Sequence, residues 1–188
     1  MPSVSKLKIL SFDLENRPAT YWYDDKTTAQ ITAVASCWVG NPNSMRCNLL
    51  TLDPASEETL LAGFLRRYEQ ADLVTGHYII RHDLPLINGH LLERGLPPLR
   101  PKLVSDTRAH LKKRKDMPAS QEALGEFLRL DNQKYLMTQA RWREANRLTP
   151  AGIRYTRKRV IADVREQMEM REKLIELGWL NCPKMWYP

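Results

Sequence analysis

The order of strand-type and helix-type segments is the feature of this 188-residue sequence that most constrains its fold. Residues 6–14 alternate between apolar and polar side chains, and further strands are predicted at 31–39 and 45–52. The turn-forming sequence GNPNS between the last two favours an antiparallel hairpin. Shorter strands at 73–77 and 103–105 then alternate with helices. Antiparallel strands followed by strand–helix alternation predict an α/β fold with a mixed five-stranded sheet flanked by helices.

Capping signals place the helices along the chain. An Asp-Pro pair at 53–54 begins one helix, and Asp83 is the predicted N-cap of another that ends at Gly95. A long helix begins after Thr149 and ends near residue 178. Residues 131–149 are polar and are predicted to be irregular.

The composition predicts one soluble domain over residues 1–188. Hydrophobic residues make up 43% of the chain and charged residues 27%, which excludes a disordered chain. No apolar run approaches the ~20 residues of a membrane helix, and the N-terminal residues lack a secretory signal pattern. Cys37, Cys47 and Cys182 show no metal-ligand spacing, so we expect reduced thiols in a cytoplasmic protein.

Positive charge is concentrated at residues 98–118 and 141–159. The net charge is +7, and clustered cations favour a polyanionic partner such as nucleic acid, although a merely solubilising surface has the same composition. Lys134 and the sequence Arg141-Trp142-Arg143 combine cations with an aromatic ring, which suits a single strand; the alternative is that Trp142 anchors the irregular segment to the core. The residues predicted to contact nucleic acid through their charge are Lys112, Lys113, Arg114, Lys115, Lys134, Arg141 and Lys158.

Four carboxylates stand at positions where burial without compensation would be costly. Asp13 and Glu15 share one face of the first strand, because strand side chains repeat every second residue. Asp83 follows a strand end, where open α/β sheets place their sites, and Asp163 lies on the last helix. Their convergence would suit hard divalent cations, Mg²⁺ or Mn²⁺. The alternatives are ion pairs with basic residues and, for Asp83, helix capping alone.

Three short motifs carry a resemblance to a known superfamily. FDLE on the first strand, GHYIIRHDLPLING in mid-chain and RVIADV on the last helix resemble, in order and spacing, the exonuclease motifs of the DEDD superfamily. These are DnaQ-like 3′–5′ exonucleases with a ribonuclease H-like fold, and the resemblance covers residues 6–177. Within the superfamily the chain is most similar to predicted exonucleases from phage genomes.

The resemblance implies a catalytic role for four residues of this sequence. Asp13, Glu15, Asp83 and Asp163 would hold two ions, Mg²⁺ or Mn²⁺. The implied activity is metal-dependent removal of nucleotides, one at a time, from the 3′ ends of DNA or RNA, mainly single-stranded, with release of nucleoside 5′-monophosphates.

The last motif departs from the superfamily pattern. A His five residues or a Tyr four residues before the last aspartate usually serves as general base, and here those positions hold Lys158 and Arg159. In one interpretation, a bound cation makes water acidic enough without a base, and Arg159 stabilises the charge on the scissile phosphate. In a second, Arg159 pairs with Asp163, and His77 or His82 is the base. In a third, hydrolysis is lost and only binding remains.

The middle of the chain departs as well. Tyr78 stands where the superfamily commonly has Asn, and it would either stack on a terminal nucleotide or be a partly buried structural Tyr. Asp106 and Thr107 resemble a recurring supporting pair, with Thr107 predicted to cap a helix. A catalytically inactive nucleic-acid-binding protein and a ribonuclease H-like endonuclease remain alternatives. Protein partners are not indicated.

Overall fold

A mixed six-stranded sheet organises the computed structural model, which describes residues 7–18, 29–111, 117–180 and 182–188. The strands are β1 (Ile9–Arg17), β2 (Gln30–Trp38), β3 (Asn41–Leu49), β4 (Leu73–Gly76), β5 (Lys102–Asp106) and β6 (Lys184–Trp186). The helices are α1 (Pro54–Thr59), α2 (Ala62–Gln70), α3 (Asp83–Glu93), α4 (Thr107–Leu111), α5 (Gln121–Leu128), α6 (Gln139–Asn146) and α7 (Pro150–Glu176). The predicted α/β class with a mixed, helix-flanked sheet is therefore confirmed.

The sheet has the strand order β3-β2-β1-β4-β5-β6. β1, β2 and β3 pair antiparallel, whereas β4 lies parallel to both β1 and β5. The hairpin between β2 and β3 is tighter than GNPNS suggested, because Trp38 already pairs with Asn41 across a turn that contains Gly40 at φ 81°. A positive φ of this size favours glycine.

The two faces of β1 contact different helices. Leu10, Phe12 and Leu14 belong to a core that includes Phe64 of α2 and Leu84 of α3. On the opposite face, Ala33, Ala35 and Cys37 of β2 pack against Val160 and Val164 of α7. In the β1–β2 register Asp13 lies opposite Ala35 and Glu15 opposite Ala33, and directly paired residues share a face. Both carboxylates therefore face α7, as the alternation along β1 predicts.

Two segments differ from the sequence-based expectation. Residues 131–149 contain α6, which is N-capped by Thr138 through a hydrogen bond from the Arg141 N–H at 3.3 Å. Five of the eight residues of this helix are polar, so its apolar periodicity is weak, and it is held by close packing on α7. The two helices approach so closely at Gly152 of α7 that a Cβ atom at this position would overlap the carbonyl of Glu144 in α6.

The C-terminal strand corrects the predicted number of strands from five to six. β6 pairs antiparallel with β5, with Lys102 opposite Trp186. This strand has only three residues, and they are too exposed for an alternation of apolar and polar side chains to be visible in the sequence. Among the described residues, no helix combines the length and apolarity required to cross a bilayer.

Candidate metal centre and its surroundings

Three carboxylates from β1 and α7 meet at one point. Asp13, Glu15 and Asp163 each present an oxygen, and these atoms all lie within 4.8 Å of one another. Asp163 reaches this point because Val160 and Val164, on the same side of α7, pack onto β2 beside the two strand residues. The structure thus brings together three of the four acids that the sequence suggested.

Asp83 lies beside this group at the first residue of α3. Its side chain is only 3% exposed and lines the same cavity of about 350 Å³ as the other three acids. Its Oδ1 accepts a hydrogen bond from the Leu14 N–H at 3.0 Å, and its Oδ2 lies 3.3 Å from Nδ1 of His82. The predicted capping role is wrong, because residue 82 occupies the N-cap position and α3 has no side-chain cap. Asp83 instead ties α3 to the backbone of β1.

Burial and mutual repulsion disfavour full ionisation of this set. Burial, followed by the charges of Asp163, Asp83 and Glu15, raises the pKa of Asp13 well above its usual range. Burial and the charge of Asp163 raise the pKa of Glu15 to about 7. The pKa of Asp163 is raised by burial, although Lys134 and Arg159 oppose that rise. The centre therefore holds more carboxyl groups than its own basic side chains keep ionised.

Two basic side chains reach into the centre. Nε of Arg159 lies 2.9 Å from Oδ2 of Asp163 and 3.3 Å from Oε1 of Glu15, and Nη1 donates to the Tyr135 carbonyl at 2.8 Å. Nζ of Lys134 lies 3.8 Å from Oδ2 of Asp163. The ion pair between Arg159 and Asp163, one of the alternatives raised by the sequence, is present. It coexists with the carboxylate cluster instead of replacing it.

The donor set fits a hard divalent cation. All the converging ligand atoms are carboxylate oxygens, which Mg²⁺ and Mn²⁺ prefer. Oδ1 of Asp163 is buried and has no hydrogen-bond partner among the described residues. A buried carboxylate oxygen without a donor is costly, and a cation would satisfy it. A buried acidic cluster of this kind can bind metal.

A buried amide network supports the carboxylates, and sequence reasoning missed it. Nε2 of Gln167 donates to Oδ1 of Asp13 at 2.9 Å and to Oε1 of Gln121 at 3.0 Å. Nε2 of Gln121 in turn donates to Oε2 of Glu166 at 2.6 Å and to the Asp163 carbonyl at 3.2 Å. Burial, with a contribution from Asp163, raises the pKa of Glu166 to about 7. The network fixes the orientation of Asp13 relative to α7.

One signal for part of this network was present in the sequence. Glu166 and Gln167 follow Asp163 by three and four residues, and this spacing places side chains on the same face of a helix. Gln121 lies more than 40 residues earlier in the chain, on α5, and no local pattern connects it to the site.

Asp106 holds the loop that follows β4. Its Oδ1 accepts from the N–H groups of Tyr78 and Ala109 at 3.0 Å each, and its Oδ2 accepts from the Ile80 N–H at 3.0 Å. Through Ala109 it also caps α4, so the predicted cap by Thr107 is wrong. Oγ1 of Thr107 donates to the Gly76 carbonyl at 3.2 Å. The supporting role expected of this pair is present, with Asp106 as its main member.

The loop presents three side chains to the cavity. Tyr78 has φ 73°, and its ring lies 3.8 Å from the Arg108 guanidinium, beside the carboxylates. Both ring nitrogens of His77 are engaged, with Thr107 Oγ1 at 2.9 Å and the Ala119 carbonyl at 3.1 Å, and burial lowers its pKa. His82 faces Asp83. His77 is thus poorly placed to serve as a general base, because it would first lose one of these bonds.

The predicted nucleic-acid contacts fall into three groups. Lys134 lies at the carboxylates, which its place in the polar segment 131–149 did not indicate. Arg141 and Lys158 lie together over the Tyr135 ring, at 5.1 and 5.8 Å from its centroid, and line a second cavity of about 890 Å³. Lys112, Lys113, Arg114 and Lys115 lie outside the described residues.

Comparison with known proteins establishes the fold. No protein-family model matches the chain, and no curated protein matches it in sequence. Among solved structures, the family B DNA polymerase from the hyperthermophilic archaeon Pyrobaculum calidifontis superposes with a TM-score of 0.74 over 93% of this chain, at 15% identity. The chain spans 25% of the length of that polymerase chain. The similarity confirms the ribonuclease H-like fold class expected from the motifs.

Proposed function

We propose that this protein is a metal-dependent 3′–5′ exonuclease that acts mainly on single-stranded nucleic acid. The observation that carries the proposal is the meeting of Asp13, Glu15 and Asp163 within 4.8 Å, at the positions of the exonuclease motifs. The shared fold with a DNA polymerase chain supports a nucleic-acid substrate. The 3′ polarity follows from the motif resemblance.

Asp13, Glu15 and Asp163, with Asp83 in the same cavity, would hold two divalent cations, Mg²⁺ or Mn²⁺. When bound, the cations would supply Lewis-acid stabilisation of the negative charge that develops on the phosphodiester oxygens. Gln167 holds Asp13 in its orientation through the 2.9 Å hydrogen bond. Side chains locked in this way keep ligand atoms in place.

Among the described residues, Arg159 and Lys134 are the arginine and the lysine that form ion pairs with these carboxylates. A phosphate bound beside Arg159 and Lys134 would exchange their carboxylate partners for its own oxygens. Arg159 can contact two such oxygens at once. The reaction adds water across the P–O3′ bond, leaving a 3′-hydroxyl on the shortened strand and releasing a nucleoside 5′-monophosphate. Tyr78, at the cavity edge, would contact the terminal base.

A binding protein without hydrolytic activity is the second candidate. Its specific support is that Arg159 lies within ion-pair distance of both Glu15 and Asp163, at the position where the superfamily has Tyr. A guanidinium cannot accept a proton at ordinary pH. In that case the Arg159 ion pairs would permanently take the place of the cations.

The test is cleavage of 5′-labelled single-stranded DNA and RNA in Mg²⁺ or Mn²⁺, with wild type and Asp13→Asn compared. We expect a ladder that shortens from the 3′ end with the wild type only. Discrete internal cuts would instead indicate an endonuclease. Binding of either strand without cleavage by the folded wild-type protein would select the second candidate.

A further inference from the structure

A cationic groove on the outer side of α7 adjoins the candidate metal centre. This α7 groove has a volume of about 890 Å³ and lies between α7, Arg141 of α6 and residues 133–136. Lys134 lines both the groove and the carboxylate cavity, so the two spaces are neighbours. The groove cations are Lys134, Arg141, Arg154, Arg157, Lys158 and Arg165.

The charge of the groove is not neutralised locally. No carboxylate of the described residues lines it, and Arg154, Arg157 and Arg165 form no ion pair with any described residue. All three are exposed, which leaves their guanidinium groups accessible to a ligand.

The walls of the groove between these cations are apolar and aromatic. Leu136 is 66% exposed, and Ile161 and Tyr135 line the same space. Tyr135 is itself flanked by Arg141 at 5.1 Å. Cations that follow a backbone, combined with apolar and aromatic surfaces for bases, are the arrangement that single-stranded nucleic acid requires. A duplex would make poor use of the apolar walls, because its bases are stacked and paired.

We propose that the α7 groove binds a single nucleic-acid strand several nucleotides upstream of the end held at the carboxylates. Arg154 and Arg165 are separated by about 16 Å at 1.5 Å per helical residue. At about 3.4 Å per phosphate of a stacked strand, the groove contacts about five nucleotides. The assignment of the bound end rests on the proposed function, whereas binding in the groove does not depend on hydrolysis.

The test uses Arg154→Gln/Arg165→Gln, which removes one charge at each end of the groove. The matched control is Arg46→Gln/Arg66→Gln, in which the charge of two exposed arginines without ion pairs to described residues is removed beside α2, on the opposite face of the sheet. Affinity for a labelled oligothymidylate of about a dozen nucleotides is measured by fluorescence anisotropy in EDTA, over a range of salt concentrations. EDTA prevents metal-dependent cleavage, so the readout is binding alone.

Each phosphate contact on a single strand contributes about 0.7 to the slope of log affinity against log salt. The groove variant should therefore lose about 1.4 from that slope and bind about 25-fold more weakly at about 0.1 M salt. Arg154→Lys/Arg165→Lys should retain the wild-type slope. The control should change affinity less than twofold.

Equal slopes for the groove variant, the control and the wild type would overturn the proposal, as would tighter wild-type binding to duplex than to the single strand. Cleavage of the same strand in Mn²⁺ separates this result from the fate of the proposed function. A wild type that binds through the groove but does not cleave sustains the groove and refutes the exonuclease. A wild type that cleaves, but whose binding does not depend on the groove charges, sustains the exonuclease and refutes the groove.

Discussion

Replacing Arg159 by Met should destabilise the metal-free protein and make its stability depend strongly on divalent cations. The substitution keeps the volume of the side-chain stem but removes the charge that lies 2.9 Å from Asp163 and 3.3 Å from Glu15. The Arg159 side chain is 15% exposed and that of Asp163 is 4% exposed, so water replaces the lost charge poorly.

The magnitude follows from these distances. At an effective dielectric constant of about 20, each contact represents a gross attraction of about 5 kcal/mol, most of which offsets desolvation. Removing one partner of a buried pair costs about 3–5 kcal/mol in net stability. We therefore expect a loss of about 3 kcal/mol in EDTA at a pH of about 8, where Glu15, with its pKa of about 7, is mostly ionised.

Divalent cations should return a large part of this loss, because they supply the missing positive charge to the same oxygens. Urea unfolding in EDTA and in Mn²⁺ measures both quantities. Arg157→Met is the matched control, since Arg157 is exposed on the same helix, and it should change stability by less than about 0.5 kcal/mol. An equal loss for Arg159→Met with and without Mn²⁺ would refute the reasoning, because the guanidinium and the cation would then act on different groups.

Turnover of the same variant bears on its catalytic role. If Arg159 stabilises charge on the scissile phosphate, Arg159→Met should lose about 100-fold or more in turnover while retaining strand binding. An unchanged cleavage rate would exclude that role and leave Arg159 as an ion-pair partner alone.

Three further perturbations have defined outcomes. The pKa of Glu15 is raised from 4.5 to about 7 in the folded state, so its contribution to the free energy of unfolding is fully present below about pH 4.5. About 3 kcal/mol of that free energy is lost as the pH rises through 7. Urea titrations in EDTA should show this fall, and Glu15→Gln should reduce it. Gln167→Met leaves Asp13 without its amide donor and should weaken Mn²⁺ binding about 10–100-fold, as measured by calorimetry. An unaltered affinity would mean that the amide network does not orient Asp13 for metal binding. Asp106→Ala removes the acceptor of three N–H groups and should cost about 4 kcal/mol in urea unfolding, with faster amide exchange at Tyr78; a loss below about 1 kcal/mol would contradict its supporting role.

The sequence predicted those parts of the fold that have a local signal, either a regular alternation of apolar and polar side chains or a capping residue. The alternation along β1 places Asp13 and Glu15 on the α7 side, and the capping signal at Thr149 marks the start of α7, where its side chain accepts from the Gly152 N–H. α6 and β6 were missed because one lacks an apolar stripe and the other is three residues long.

The parts of the site that the sequence did not predict depend on contacts between distant segments. Asp83 has the sequence context of an N-cap, yet its carboxylate accepts from Leu14, 69 residues away. Lys134 belongs to a polar stretch with no carboxylate pattern, and only the fold brings it to Asp163. Gln121 joins the network from another helix. None of these pairings has a periodicity that a single sequence displays.

The central claim, that the meeting point of β1 and α7 is a divalent metal centre, is tested most directly by counting bound Mn²⁺. Titration followed by electron paramagnetic resonance separates free from bound ion and does not require activity. We predict that the wild type binds two ions and that Asp13→Asn/Asp163→Asn, with an unchanged circular dichroism spectrum, binds none at the same concentrations. Equal binding by the two proteins, or none by the folded wild type at millimolar Mn²⁺, would contradict the claim.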